Sequence, residues 1–247
     1  MSELSGDNYI RWKNWEAENF AHASSGAVFY FTQFFKRHPV LRKQSEVLEI
    51  GFGNGELLGY LKDRNHKVVG VEINSYLVER ATQAGFETYA GLVWDISELQ
   101  SHKFDSIFAF DVVEHMTQTE LNAFFSWTQS HLKSDGRLIL RFPEGASPFG
   151  LAYQNGDFTH VTSLTASKIN SLCEMNDLKL LSYSDEFLRS NQLCSYGLIG
   201  KLALLILQAY AKILRTTMRI LFYPLSLDVR FSTNSIAVIS PTNKLAD

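Results

Sequence analysis

The sequence predicts an α/β protein built on a doubly wound, mostly parallel seven-stranded sheet. An N-terminal helical lid and a long helical insertion before the last strand complete it. Three observations support this. Apolar strand candidates alternate with helical stretches, the order that produces a parallel sheet with helices on both faces. The strand Val47-Leu48-Glu49-Ile50 runs directly into Gly51-Phe52-Gly53-Asn54-Gly55. Glycines so placed let the backbone turn tightly and approach a ligand. The next strand, Val68-Val69-Gly70-Val71, ends on Glu72, an acid placed to grip a ribose diol.

In chain order, residues 8–37 read as one or two helices rich in aromatics, with Pro39 ending the region. Tyr9, Trp12 and Trp15 are candidates to stack on an acceptor; a stripe of helical aromatics also serves as ordinary core. Strands are expected at 46–50, 68–72, 87–90, 104–110, 136–142, 178–184 and 234–239. Helices are expected at 55–64, 75–84 and 117–132, with a short turn near 96–100. Four regions follow: a lid at 1–45, a core at 46–186, an insertion at 187–233, and the last strand with its tail at 234–247.

Composition narrows the function classes. The 247 residues can bury a core of their own, and 45% hydrophobic with 20% charged residues is a globular balance. A net charge of -3 gives no electrostatic pointer to nucleic acid. Cys173 and Cys194 have no metal-ligand or C-x-x-C spacing and read as reduced, cytosolic thiols. Residues 1–15 carry no apolar signal-peptide core, and no window of about 18 uncharged apolar residues predicts a spanning helix. The expected location is cytoplasmic, peripheral at the inner membrane face if the insertion binds lipid.

The glycine turn reads G-x-G-x-G, with Glu49 two residues before its first glycine. Dinucleotide enzymes use G-x-G-x-x-G here to seat a pyrophosphate. An acid at Glu49 suits a cationic ligand without phosphate. The segment resembles motif I of the class I S-adenosylmethionine (SAM) methyltransferases. Phe104-Asp105-Ser106-Ile107-Phe108-Ala109-Phe110-Asp111-Val112-Val113-Glu114-His115 is similar to the fourth-strand motif of that family. Leu132-Lys133-Ser134-Asp135-Gly136-Arg137-Leu138-Ile139-Leu140 is similar to its turn into the fifth strand. The matches cover roughly residues 46–145 in the expected order, nearest to the ubiquinone-type and sugar O-methyltransferase branch.

The resemblance implies a Rossmann-like methyltransferase fold whose last strand, Ser235–Ile239, is the antiparallel edge partner. It implies SAM as cofactor and S-adenosylhomocysteine (SAH) as product. Gly51, Gly53 and Gly55 would line the loop under the methionine part, and Glu49 would receive the α-amino group, favoured by opposite charge. Glu72 would accept the ribose hydroxyls, with Ile73 beside the adenine. Trp94, Asp95 and Ile96 would meet the adenine amine. Asp111 and Val112 would stand beside the sulfonium. The plain alternatives are a simple strand–helix turn for the glycines, a solvated strand end for Glu72, and a variable loop for Asp95. Asp105 reads as a structural cap on its strand.

Methyl transfer from a sulfonium is an in-line displacement, so the enzyme mainly positions the acceptor. An oxygen acceptor also needs help losing its proton. Nucleic-acid amino-methyltransferases carry Asn/Asp-Pro-Pro-aromatic after the fourth strand; here Asp111-Val112-Val113-Glu114 stands there, and no Pro-Cys nucleophile is present. A sugar, lipid or other small acceptor remains, with no nucleic acid. His160, in Asp157-Phe158-Thr159-His160-Val161-Thr162, is the first base candidate, oriented by Asp157. His115 is the second. Alternatively His160 bonds a carbonyl and holds the loop, with Thr162 capping the next helix, and His115 packs beneath the site. No His, Asp or Glu set shows metal spacing, so no metal is expected.

From Phe187 to Leu227 there is no Asp or Glu, while Arg189, Lys201, Lys212, Arg215 and Arg219 are present. At about 100° per residue, Lys201, Gln208, Lys212, Arg215 and Arg219 fall within roughly 40° of one line on a helix over 197–222. The remaining surface is broadly apolar. Such a helix lies in a membrane interface facing anionic headgroups, joins a homodimer, or packs as core. A membrane location favours a lipid-linked acceptor. Two other function classes stay open: a non-catalytic SAM-binding module, and an NAD(P)-dependent Rossmann oxidoreductase, against which Glu49 and the glycine spacing count.

Overall fold

The computed structural model describes residues 20–186, 197–222 and 230–242. Its strands are β1 (Glu46–Ile50), β2 (Lys67–Glu72), β3 (Glu87–Ala90), β4 (Phe104–Phe110), β5 (Leu132–Pro143), β6 (Leu178–Asp185) and β7 (Asn234–Pro241). Its helices are α1 (Ser25–Arg37), α2 (Glu56–Lys62), α3 (Ser75–Gln83), α4 (Gln118–His131), α5 (Leu151–Gly156), α6 (Ala166–Met175) and α7 (Gly197–Phe222). One sheet runs β3-β2-β1-β4-β5-β7-β6. The first five strands are parallel, and β7 is antiparallel to both β5 and β6.

The last strand is antiparallel as expected, but it is not an edge. It lies between β5 and β6, and β6 takes the edge. Burial explains this. Ile236, Ala237, Val238 and Ile239 are all buried, as a strand covered on both faces requires. Residues of β6 are mostly half-exposed or exposed.

The two faces of the sheet follow the two-residue period of its strands. Leu48, Ile107, Leu138, Leu140 and Ile239 point to one face, where Leu121, Phe124 and Phe125 of α4 and Ile169 and Leu172 of α6 complete the main core. Val47, Phe108, Ile139, Ile236 and Val238 point to the other, where they meet Phe31 and Phe34 of α1 and Tyr60 and Leu61 of α2. Within the expected lid, α1 is thus a layer on the sheet, begun by the Ser24 hydroxyl accepting the Ala27 N–H at 3.2 Å. Tyr9, Trp12 and Trp15 lie outside the described residues.

Helix α4 starts on a capping box: Thr117 and Glu120 satisfy each other's backbone N–H groups. Helix α5 falls where only loop was expected, and α6, buried through Ile169, Leu172 and Cys173, is the helix expected after Thr162. Thr165, not Thr162, caps α6, accepting the Lys168 N–H at 3.3 Å. Thr162 instead donates to the Met116 carbonyl at 2.7 Å.

Helix α7 runs for 26 residues, and most of its described large apolar side chains lie in solvent. Leu198, Ile199 and Phe222 are 83%, 82% and 71% exposed, and Ile206 and Ile213 exceed 60%. The reading of this helix as intrachain core therefore fails. An ion pair of 3.7 Å joins its Arg215 to Asp185 at the end of β6. Among the described residues, no helix is long and apolar enough to cross a membrane.

Candidate active site

The site is built at the C-terminal ends of the parallel strands, where open α/β sheets bind ligands. After β1 the chain turns through Gly51, Gly53 and Gly55 at φ of 71°, 53° and 73°, in the left-handed region. At Gly51 space matters as much as conformation: a Cβ there would lie 2.3 Å from Cγ2 of Val112. The glycine turn and the end of β4 are thus pressed together, and Val112 forms the wall beside the turn. Phe20 packs edge-on against Phe52, and the Ala21 N–H donates to the Asn54 carbonyl at 2.9 Å, so residues 20–21 lie along the turn.

Glu72 ties the first two strand ends together. Its Oε2 accepts the Gly53 N–H at 3.2 Å, and its Oε1 accepts the N–H groups of Ile73 at 2.9 Å and Asn74 at 3.1 Å. Oε1 is filled by its two donors, and Oε2 keeps a further lone pair for a ligand. Burial pushes this carboxyl up from the ordinary range, opposed by those three donors. Ile73 is 56% exposed beside it, an open apolar platform. Trp94 is partly buried against the main core, and Asp95 is exposed in the same turn. Ile96 is buried within the main core rather than standing on the site's surface.

Glu49 is buried in β1, and its Oε2 has no hydrogen-bond partner. Burial, then the charge of Glu72, pushes its carboxyl well above the ordinary range. A buried acceptor lacking a donor fits an ammonium group such as the α-amino group of SAM. The sign is specific. Below that raised value Glu49 holds a proton in the free protein, and the stability this gives is present at low pH and lost as pH rises through the raised value. An ammonium partner favours the carboxylate, so binding expels that proton. SAH affinity is expected to rise with pH up to the raised value and flatten above it. Calorimetry in buffers of different ionisation enthalpy should record the released proton, and Glu49→Gln should abolish the release; unchanged release would remove Glu49 from the site.

Asp111 already has a charged partner within the protein. It takes φ of 57° at the end of β4, and its carboxylate forms an ion pair with Arg141 of β5. Arg141 also reaches the Tyr30 hydroxyl at 3.2 Å and Glu186 at 3.7 Å. The charge of Asp111 is thus held by the protein. Sequence reasoning missed this network because its members lie on separate elements, 30 residues apart for Asp111 and Arg141 and 111 for Tyr30 and Arg141.

Past β4, the turn Val113–His115 meets the loop after α5. The N–H groups of Val161 and Thr162 both donate to the Glu114 carbonyl at 3.0 Å, clamping loop to turn. His160 and His115 meet with ring centroids 4.6 Å apart. The His160 Nε2 lies 3.9 Å from Oε1 of Glu114 and 3.8 Å from Oδ2 of Asp157. Its Nδ1 is 3.2 Å from the Gln154 carbonyl. That carbonyl, not Asp157, orients the ring, because 3.8 Å exceeds hydrogen-bond reach. Asp157 instead accepts from the N–H of Thr159 at 3.0 Å and from its hydroxyl. Glu114, 1% exposed, joins the expected trio and had no role assigned from sequence. Its place beside His115, in the turn leaving a central strand, was the available signal.

Comparison with known proteins agrees with this geometry. A methyltransferase-domain family profile matches residues 20–183. The chain belongs to this methyltransferase family, and its cofactor is S-adenosylmethionine. A SAM-dependent methyltransferase from Archaeoglobus fulgidus is 18% identical with a TM-score of 0.61, the match covering 95% of this chain and 99% of that one. A TehB-like SAM-dependent methyltransferase from Corynebacterium glutamicum is 17% identical with a TM-score of 0.57, covering 95% and 97%. Magnesium protoporphyrin IX methyltransferase from Synechocystis, crystallised with SAH, is 13% identical with a TM-score of 0.57, covering 96% of each chain. No curated protein sequence matches the chain.

Proposed function

We propose that this chain transfers the methyl group of SAM to a hydroxyl of a sugar, polysaccharide or lipid-linked small acceptor. The observation that carries the reading is the His115–His160 pair with Glu114 and Asp157, at the strand ends that hold the cofactor residues. Bound SAM supplies an electrophilic methyl group. Glu49, Glu72 and the glycine turn hold and orient the cofactor, and Val112 walls its reacting end. The carbonyl of Gln154 accepts from Nδ1 of His160, which leaves Nε2 as the lone pair able to take the hydroxyl proton. Glu114 and Asp157 then stand within 4 Å to stabilise the imidazolium. Methyl-labelled SAM incubated with membrane-lipid and polysaccharide extracts should yield label in an alkali-stable ether. His160→Ala should slow that transfer by roughly 10²–10⁴-fold, the usual share of a general base. Label found only on nitrogen or sulfur, or none at all, would end the hydroxyl reading.

Helix α7 supports the lipid-linked class of acceptor. Most of its described large apolar residues face solvent, Lys212 and Arg219 are exposed, and its sequence contains no acid. Such a helix lies in a membrane interface with its cations toward anionic headgroups. The full chain is expected to float with vesicles containing phosphatidylglycerol, and less so as salt rises. Replacing Ile206 and Ile213 together by Glu removes two insertions worth about 1.5–3 kcal/mol each, so vesicle partitioning should fall roughly a hundredfold or more. SAH binding should not change. A chain that ignores vesicles and sediments as a dimer, dissociated by the same substitutions, would assign the helix to a homodimer instead.

A further inference from the structure

We propose that Arg141 receives the α-carboxylate of SAM and SAH, beside the α-amino group that Glu49 receives. This contact belongs to the cofactor site and is independent of which acceptor the enzyme uses.

The amino-acid end of the cofactor carries two opposite charges on one carbon. A partly dry site that supplies an acid for the ammonium therefore needs a cation nearby for the carboxylate. The sheet places one. Val47 and Glu49 of β1, Phe108 and Phe110 of β4, and Ile139 and Arg141 of β5 share one face, by the two-residue period of their strands. Glu49 pairs with Phe108 and Arg141 pairs with Phe110, so acid and guanidinium stand at the same end of that face, on either side of β4. Two strand spacings, about 10 Å, separate their backbones. The charge of Arg141 reaches Glu49 and draws its carboxyl down, against the burial that pushes it up.

The guanidinium is held in one direction. Its Nε and Nη2 fork onto the two oxygens of Asp111, and its Nη1 donates to the Tyr30 hydroxyl at 3.2 Å. The group lies over the Phe110 ring, 5.0 Å from the centroid. Those bonds take three of the five N–H groups and leave one on each terminal nitrogen. Glu186 does not fill them. It stands 3.7 Å away, and its own oxygens accept from the Tyr30 hydroxyl at 2.8 Å and the Asn234 amide at 2.7 Å. A latch between β4 and β5 needs only the Asp111 fork. The N–H groups left over match a second carboxylate, the planar geometry for which arginine is suited. The side chain is 21% exposed, so a ligand can reach it. Asp111 and Glu186 both face this cation, yet the ligand adds no net negative charge, because its carboxylate arrives with its own ammonium.

The test compares SAH with S-adenosyl-3-thiopropylamine, which keeps the ammonium and lacks only the carboxylate, by calorimetry on the full chain. The wild type is expected to bind SAH at least about tenfold more tightly than this analogue. Replacing Asp111→Asn and Arg141→Gln together removes both charges and leaves no acid unpaired between them. SAH affinity should then fall toward that of the analogue, whose own affinity should hold. A structural role alone would weaken both ligands alike. If that variant does not fold, Arg141→Lys takes its place: it keeps the charge beside Asp111 and loses the fork, and the preference for SAH should shrink at least about threefold. The proposal is overturned if the wild type binds both ligands equally, if a folded variant keeps the wild-type preference, or if a folded variant binds neither ligand. A wild type that binds neither would instead bring down the cofactor site as a whole.

Discussion

A Gly51→Ala variant should lose SAH binding more completely than any other single methyl addition to this chain. Two costs coincide at this position. The backbone sits at φ of 71°, where a residue with a Cβ is strained by about 1–3 kcal/mol. The added carbon would also stand 2.3 Å from Val112, well inside contact distance. Neither neighbour yields easily, because Gly51 donates its N–H to the Val71 carbonyl at 2.7 Å and Val112 follows the buried strand β4. Relief must come from moving the turn away from the strand ends. The cofactor loop then loses its shape, and affinity should fall at least about tenfold for every 1.4 kcal/mol of that displacement. Thermal denaturation with and without SAH checks this: the variant should melt lower and show almost no ligand-induced shift. A full shift would mean that the turn does not hold the cofactor.

Glu72→Ala should be the most damaging change that adds no bulk. The carboxylate organises three backbone N–H groups from two loops and offers its remaining lone pair, on Oε2, to the ribose. Removing it leaves the partly buried N–H groups of Gly53 and Asn74 and the ligand hydroxyls unpaired, at about 1–3 kcal/mol for each group that stays buried. A loss of ten- to a hundredfold or more in SAH affinity is expected by calorimetry. Glu72→Gln, which keeps two acceptor lone pairs, should fall between. An affinity equal to the wild type would sink the ribose assignment.

Much of this was legible in the sequence. Strand candidates matched within a few residues because apolar runs between turn residues are strong local signals, and Glu49, Gly51, Gly53, Gly55 and Glu72 gather at one end of the sheet. The rest depended on tertiary placement. That β7 would slip inside β6 depended on pairing between segments about fifty residues apart, although the more polar composition of β6 fits its place at the edge. Asp111 looked like a ligand-facing acid because its partner, Arg141, is a neighbour only through the pairing of β4 with β5. Ile96 read as a site residue, yet the turn of residues 93–95 sends it into the core. The meeting of the two histidines was hidden most deeply: Glu114 and His115 are adjacent, but His160 joins them only because loop 157–162 folds back onto the Glu114 carbonyl. Helix α7 was recognisable as amphipathic, while its exposure required the fold.

The most direct test of the central claim is a calorimetric titration of SAH into the full wild-type chain, with NADH as the control ligand. The account expects saturable binding of one SAH per chain and none of NADH. No saturable heat with SAH, or binding of NADH in its place, would contradict it.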